Sequence, residues 1–239
     1  MILQAALNGA RPADTPRLPL SPAAMASDAL ACRAAGAQSL HVHPRDDLAR
    51  ESLYPDAVAE VLAAIRAAVP GMEVGISSGD WIVPRLGRLD DMRGWQVLPD
   101  FVSVNLSEPD APEVLALMRA MGVGVELGLA SVADLERLVA LPGDPSLGAV
   151  RAMIEMDSGA FSTARHEAGL LQRMLAEIMP GVPVLLHGFG DTAWDFVALA
   201  RDWGCQTRIG LEDVLTLPDG RPAGNAELVA CAARLLAAA

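Results

Sequence analysis

The feature that most limits what this chain can fold into is a rhythm. Short apolar runs of five to seven residues alternate with longer amphipathic stretches, and the pattern returns about every 30 residues along the chain. The runs are Ile2 to Leu7, Ser39 to His43, Glu73 to Ser77, Phe101 to Asn105, Val123 to Leu127, Ala149 to Glu155, Val182 to His187 and Gln206 to Gly210. Between them lie helix candidates such as Ser21 to Ala35, with Ser21 placed as N-cap and Pro22 at the first helical position. Another is Tyr54 to Val69, halted by Pro70-Gly71, and Asn225 to Ala238 supplies the last. Eight βα units whose strands read as buried on both faces predict a TIM (β/α)8 barrel occupying residues 1–239 as one domain. An open doubly wound sheet is the rival, and it wants a glycine fingerprint that Leu7-Asn8-Gly9-Ala10-Arg11 does not supply.

Composition removes whole classes of function. All 18 basic residues are arginine, so Schiff-base, pyridoxal-phosphate and lysine P-loop chemistry are excluded for want of an ε-amino group. The net charge of -12 argues against a nucleic-acid partner, which needs a basic stripe. Cys32, Cys205 and Cys231 are odd in number and far apart, as expected of buried thiols in a reducing compartment. No apolar run reaches the ~18 residues of a membrane span. The expectation is therefore a soluble cytoplasmic protein with no membrane partner. Its mean hydropathy of +0.31 hints at apolar surface for a homo-oligomer.

In a barrel of this kind reactive groups stand at the C-terminal ends of the strands. The second strand ends His41-Val42-His43, and residues two apart share a face, so both imidazoles point into the barrel mouth and Val42 points to the helices. They read as a zinc pair or as two hydrogen-bonded core histidines. The eighth strand ends Arg208-Ile209-Gly210-Leu211-Glu212-Asp213. Glu212 can complete a His-His-Glu set with one coordination position open, although two adjacent acids also suit a helix start.

These residues resemble a family. His41-Val42-His43-Pro44-Arg45-Asp46, Ala5-Ala6-Leu7-Asn8-Gly9-Ala10, Ser77-Ser78-Gly79, Ser103-Val104-Asn105-Leu106 and Arg208 to Asp213, with Gly220 and Asn225-Ala226 beyond, are similar to the β-keto acid cleavage enzymes. The similarity spans nearly the whole chain in order. It implies a TIM barrel, zinc (Zn2+) on His41, His43 and Glu212, and Arg208 with Asp213 as the catalytic pair. It further implies Ser77 and Ser103 against the substrate, with Asn105 nearby, and a reaction of a β-keto acid with acetyl-CoA giving acetoacetate and an acyl-CoA. Glu126 is a candidate for the mouth, and Gly188 and Gly190 for a turn that receives part of CoA, as the loop after strand seven of barrels often binds phosphate.

Departures from the family bear on substrate and CoA. Glu155 to Gly159 lacks a glycine-rich loop, Gly124 stands where the family has an acid, and the family's additional C-terminal segment is expected to be missing. His187 is unmatched, and is either a hydrogen-bonding barrel residue, an extra acid/base or a ligand. Arg11 stands where the name-giving members have glutamate. If it faces the site it favours a keto acid with a second carboxylate, such as a 3-oxoadipate-like diacid, over an aminated one; otherwise it turns to solvent or pairs with Asp14. His166 is expected on the surface. An amidohydrolase-like zinc hydrolase is the alternative enzyme, disfavoured because its extra histidines on strands five and six are missing. A metal-binding scaffold without catalysis is the third reading.

Overall fold

The eight apolar runs pair edge to edge. In the computed structural model, which describes residues 1–83, 85–146, 148–156 and 159–238, they form β1 (Leu3–Ala6), β2 (Ser39–Val42), β3 (Glu73–Ser77), β4 (Phe101–Asn105), β5 (Gly124–Leu129), β6 (Ala149–Met156), β7 (Val184–Gly188) and β8 (Thr207–Ile209). The intervening helices are α1 (Pro22–Ala35), α2 (Pro55–Ala68), α3 (Arg85–Arg93), α4 (Ala111–Met121), α5 (Val132–Ala140), α6 (Phe161–Ile178), α7 (Ala193–Trp203) and α8 (Asn225–Ala237). Every named strand pair is parallel, in the order β7-β6-β5-β4-β3-β2-β1-β8. A parallel bridge between Leu185 and Gln206, with Gln206 N donating to Val184 O and Leu186 N to Gln206 O at 2.9 Å, links β7 to β8 and completes a TIM (β/α)8 barrel.

Local chemistry explains the element ends. Ser21 Oγ accepts from Ala24 N as the N-cap of α1, and Pro22 opens the helix where a missing N–H costs nothing. α2 begins at Pro55 instead of Tyr54. β7 starts at Val184, two residues later than the apolar run implies, and β5 runs from Gly124 to Leu129 instead of Val123 to Leu127. Apolar content marks burial, while strand limits follow the neighbour's hydrogen bonds, which the sequence does not display.

The barrel interior below the mouth is partly polar. Arg151 is 2% exposed. It reaches Glu73 at 2.8 Å and Glu126 at 3.5 Å, and lies over the Phe101 ring at 4.9 Å. Gln4 Nε2 donates to the other side of this layer, at Glu126 Oε2, 3.0 Å. The Phe101 ring fills the space that a side chain at Gly75 would need, so large and small residues alternate around the layer. Outside the strands, Val42, Val74, Val102 and Leu127 meet the helix layer in one apolar core. No helix among the described residues is long and apolar enough to cross a membrane.

Candidate active site at the barrel mouth

Strand ends and two asparagines build the site. Asn8, fully buried just after β1, accepts from His43 N and donates to His43 O, both at 2.9 Å, and also donates to Pro19 O at 3.2 Å. This clamps the end of β2 against β1. Asn225 at the start of α8 accepts from Leu211 N and donates to Leu7 O, each at 2.8 Å, which sets the loop carrying Glu212. Two glycines let that loop approach. A Cβ on Gly210 would overlap the Ala6 backbone, and one on Gly9, whose φ is +55°, would overlap the Glu212 side chain.

The outcome is a cluster of His41, His43 and Glu212 whose ligand atoms lie within 4.8 Å of one another. His41 Nε2 is 3.1 Å from His43 Nε2 and 3.5 Å from Glu212 Oε2, while His43 Nε2 is 3.7 Å from Glu212 Oε1. The outer nitrogens fix both rings. Ser103 Oγ donates to Glu126 Oε1 at 2.7 Å, so toward His41 Nδ1, 3.2 Å away, it can only accept. His43 Nδ1 faces Glu51 Oε1 at 2.5 Å and donates to it. Both imidazoles therefore carry their proton on Nδ1 and aim bare Nε2 lone pairs at each other. A cation, or a shared proton, must lie between them. Glu212 Oε2 is buried with no hydrogen-bond partner beside them. Two imidazole nitrogens, one carboxylate, tautomers locked by a hydroxyl and a carboxylate, and an orphaned oxygen fit a divalent metal of zinc type.

Electrostatics follow the same logic. Burial drives His41 down to about 4, keeping it neutral. Burial also pulls His43 down, but Glu212 and Glu51 outweigh it and raise it. Burial lifts Glu212, yet Arg208 and the two histidines hold it well below the usual carboxylate range. Asp213 is raised, by burial and by Glu212, against the pull of Arg208. Arg208 is held charged because the surrounding carboxylates outweigh its burial. Its Nε and Nη2 donate to Asp213 Oδ1 at 3.2 and 2.8 Å, and Nη2 also reaches Glu212 Oε1 at 2.8 Å.

A cavity of about 400 Å³ opens over this cluster, lined by Arg11, Ser77, Trp81, Ser103, Asn105, Met153, Glu155, Phe189, Arg208, Glu212 and the two histidines. Of the residues expected from sequence, His41, His43, Glu212, Arg208, Ser77, Ser103, Asn105 and Arg11 come together here. Asp213 is fully buried against Arg208 and does not line the cavity. Glu126 is likewise buried beneath it and reaches the site only through Ser103. Gly188 leaves room for Phe196 and Thr192, and Gly190 N donates to Asp213 O at 2.9 Å while lining a neighbouring cavity. Arg11 neither extends to solvent alone nor meets Asp14. Its Nε and Nη2 donate to the carbonyls of Leu211 and Glu212 at 2.9 and 3.0 Å, and it lines both cavities.

His187 is 1% exposed, with Nδ1 3.6 Å from Asp213 Oδ1 and Nε2 3.9 Å from Glu155 Oε2, beyond hydrogen-bond reach of either. His166 is exposed, as expected. Of the stretch from Glu155 to Gly159, Asp157 and Ser158 lie outside the described residues.

Glu51, Trp81 and Glu155 escaped the sequence reading. A histidine ligand usually donates its second nitrogen to an acceptor, so a carboxylate in the loop after β2 was the signal for Glu51. Glu155 stands one residue before the end of β6 and is raised to about 7, chiefly by burial; its place near a strand end was the available clue.

Comparison with known proteins shows the family. The model of the β-keto acid cleavage enzymes matches residues 1–239. The chain belongs to the β-keto acid cleavage enzyme family. The additional histidines that the alternative hydrolase reading needs are missing, since β5 and β6 contain no histidine. A curated relative, 3-oxoadipate:acetyl-CoA acetyltransferase of Cupriavidus necator, is 27% identical over 98% of this chain and 87% of its own length. Among solved structures, a ternary complex of ObcA with a C4-CoA adduct and oxalate shares the fold with a TM-score of 0.75 at 18% identity, over 93% of this chain and 64% of that one. This chain thus spans less than two thirds of ObcA. The 3-dehydroquinate dehydratase of Aquifex aeolicus VF5 gives a TM-score of 0.58 at 12% identity, over 98% and 97% of the two chains, again a likeness of fold alone.

Proposed function

We propose that this protein is a zinc-dependent enzyme that reacts a β-keto acid with acetyl-CoA to give acetoacetate and a new acyl-CoA, and that its keto acid carries a second carboxylate. The observation that carries the reading is the meeting of the His-His-Glu donor set with the Arg208–Asp213 pair at one barrel mouth. Zinc on His41, His43 and Glu212 would supply Lewis-acid polarisation of the keto oxygen.

The protein's own residues do the rest. Asp213 lies behind Arg208, and of the two only Arg208 lines the cavity, so a proton from the methylene carbon of the keto acid would reach Asp213 by relay: Arg208 passes an N–H proton to Asp213 Oδ1 as it receives the proton from carbon, and keeps its charge. Arg208 fixes that carboxylate by a planar two-nitrogen contact, and its permanent charge favours oxyanions developing in a buried setting. Ser77 and Asn105 present a hydroxyl and an amide to the keto acid from the cavity wall, while Ser103 is occupied in orienting His41. Once the methylene carbon between the keto and carboxylate groups has lost its proton, it bonds to the thioester carbon of acetyl-CoA and displaces the CoA thiolate. The thiolate adds to the keto carbon, and the bond between that carbon and the methylene carbon breaks. The fragment that leaves takes back a proton as acetoacetate, and the remaining acyl group stays on CoA.

Arg11 puts a positive charge on the same wall, which suits an anionic tail and repels an aminated one. The name of the Cupriavidus relative, whose substrate is a dicarboxylic keto acid, supports this choice. The neighbouring cavity of about 420 Å³, lined by Gly190, Asp191, Trp194 and Leu217, shares Arg11 with the site and is the route assigned to the CoA arm. The CoA adduct named for ObcA supports a CoA partner.

The test incubates zinc-loaded protein with acetyl-CoA and a panel of β-keto acids, reading acetoacetate by mass. Dicarboxylic acids should outperform aminated ones in kcat/KM, with the preference shrinking in Arg11→Gln at unchanged zinc content. The His41→Ala/His43→Ala double variant should lose metal and turnover together. No acetoacetate from any acid, or full zinc occupancy in the double variant, would overturn the assignment.

A further inference from the structure

Trp81 sits at the rim of the site, and its contacts exceed what a rim residue needs. Although 52% exposed, it lines the cavity over the metal-binding cluster. Its Nε1 donates to Glu51 Oε2 at 3.1 Å, and the other oxygen of that carboxylate takes His43 Nδ1. The indole is also stacked near the His43 imidazole, with ring centroids 6.5 Å apart and planes inclined by 25°. Gly79 provides the seat, because a Cβ there would overlap the six-membered ring of the indole. The loop after β3 therefore touches the same histidine twice, once by ring stacking and once through a carboxylate belonging to the loop after β2.

The position of Glu51 needs this second donor. The backbone of its loop is set by an antiparallel bridge between Arg45 and Glu51, but a glutamate side chain still has three torsions to choose. A hydrogen bond at each oxygen selects one arrangement, the one in which Oε1 receives the Nδ1 proton of His43 and leaves Nε2 bare for metal. Partners of this outer kind typically contribute about tenfold to a hundredfold to metal affinity.

We infer that Trp81 is a positioning residue for the metal ligand His43, acting through Glu51, so that the loop after β3 and metal affinity at the barrel mouth are coupled. The inference rests on the zinc reading above. By linkage the coupling runs both ways: zinc on His43 would favour the seated indole by the same factor by which the seated indole favours zinc binding.

The test is a double-mutant cycle in zinc affinity, measured on the full chain by competition with a chromophoric chelator, with circular dichroism to confirm folding. Trp81→Phe keeps a ring on Gly79 and above His43 while deleting only the N–H donor. Zinc affinity should fall about threefold to tenfold in Trp81→Phe and about tenfold to a hundredfold in Glu51→Ala. Added to Glu51→Ala, Trp81→Phe should cause no further loss, because its route to His43 is already gone. If Glu51→Ala does not fold, Glu51→Gln takes its place in the cycle, where the effect of Trp81→Phe should again differ from its effect in the wild type. Unchanged zinc affinity in Trp81→Phe, or single losses that simply multiply in the double variant, would overturn the proposal. Wild-type protein that holds no zinc would overturn the metal reading, and this proposal with it, and is told apart by that control alone.

Discussion

Replacing Asn8 by alanine tests whether the metal-binding end of β2 is held by one side chain. Asn8 is completely buried and pairs with both the N–H and the C=O of His43 at 2.9 Å, besides the carbonyl of Pro19. Alanine leaves the two His43 groups without their partner, away from water. At about 1–3 kcal/mol for each orphaned buried group, the loss is about 2–6 kcal/mol. Partial relaxation brings the expected value to about 3 kcal/mol, and at about 2–4 °C per kcal/mol for a chain of this size Tm drops by about 6–12 °C. The melt is followed by circular dichroism in chelator, so that metal does not add its own stabilisation. A parallel zinc titration should show weakened binding, because His43 no longer has a fixed backbone. Asn8→Asp is the control: it restores the acceptor for His43 N but sets a carboxylate against two carbonyl oxygens, and should recover little. A fall in Tm below about 2 °C with zinc affinity intact would refute the reasoning.

Chemistry and metal binding should separate at the eighth strand. Asp213→Asn is expected to retain zinc and lose turnover by about 10²–10⁴, since an amide cannot accept the substrate proton relayed through Arg208; zinc loss would show that Asp213 and Glu212 have exchanged roles. Arg208→Lys should also fail in kcat, because an ammonium cannot reproduce the Nε and Nη2 contacts with Asp213, and wild-type kcat would contradict this. Among the thiols, burial and the Asp28 charge push Cys32 up to about 12. At pH 8 only about one Cys32 thiol in 10⁴ is ionised. Cys205 is buried and also raised, whereas Cys231 is half-buried. Iodoacetamide on the folded protein should therefore give one adduct, on Cys231, by peptide mass; modification of Cys32 before unfolding would refute that.

Much of this was legible in the sequence because it depends on spacing alone. The βα rhythm determines eight strands with helices between, and in a parallel barrel each strand presents its C-terminal end to the same side. His41 and His43, two apart in an extended chain, must share a face, and β8 with the loop after it must bring Arg208 and Glu212 to the same mouth. Composition fixed the absence of lysine chemistry. What spacing could not supply is which long-range partner each polar group finds. Glu51 approaches His43 only because its loop folds back on itself, and Trp81 reaches Glu51 from a different loop. Glu126, on a strand expected at the mouth, turned out to lie beneath it. The inward face of a barrel is stacked in layers, and only strand register tells which layer a residue occupies. Arg11 reads in sequence as a charge that faces the site, turns to solvent or pairs with Asp14; in the folded protein it lines the cavity and clamps the carbonyls of Leu211 and Glu212, 200 and 201 residues away. Alternation and spacing are local properties and follow from the chain's own geometry. Hydrogen-bond partners are chosen by desolvation, which drives most buried polar groups to pair with whatever the closed barrel brings within about 3 Å.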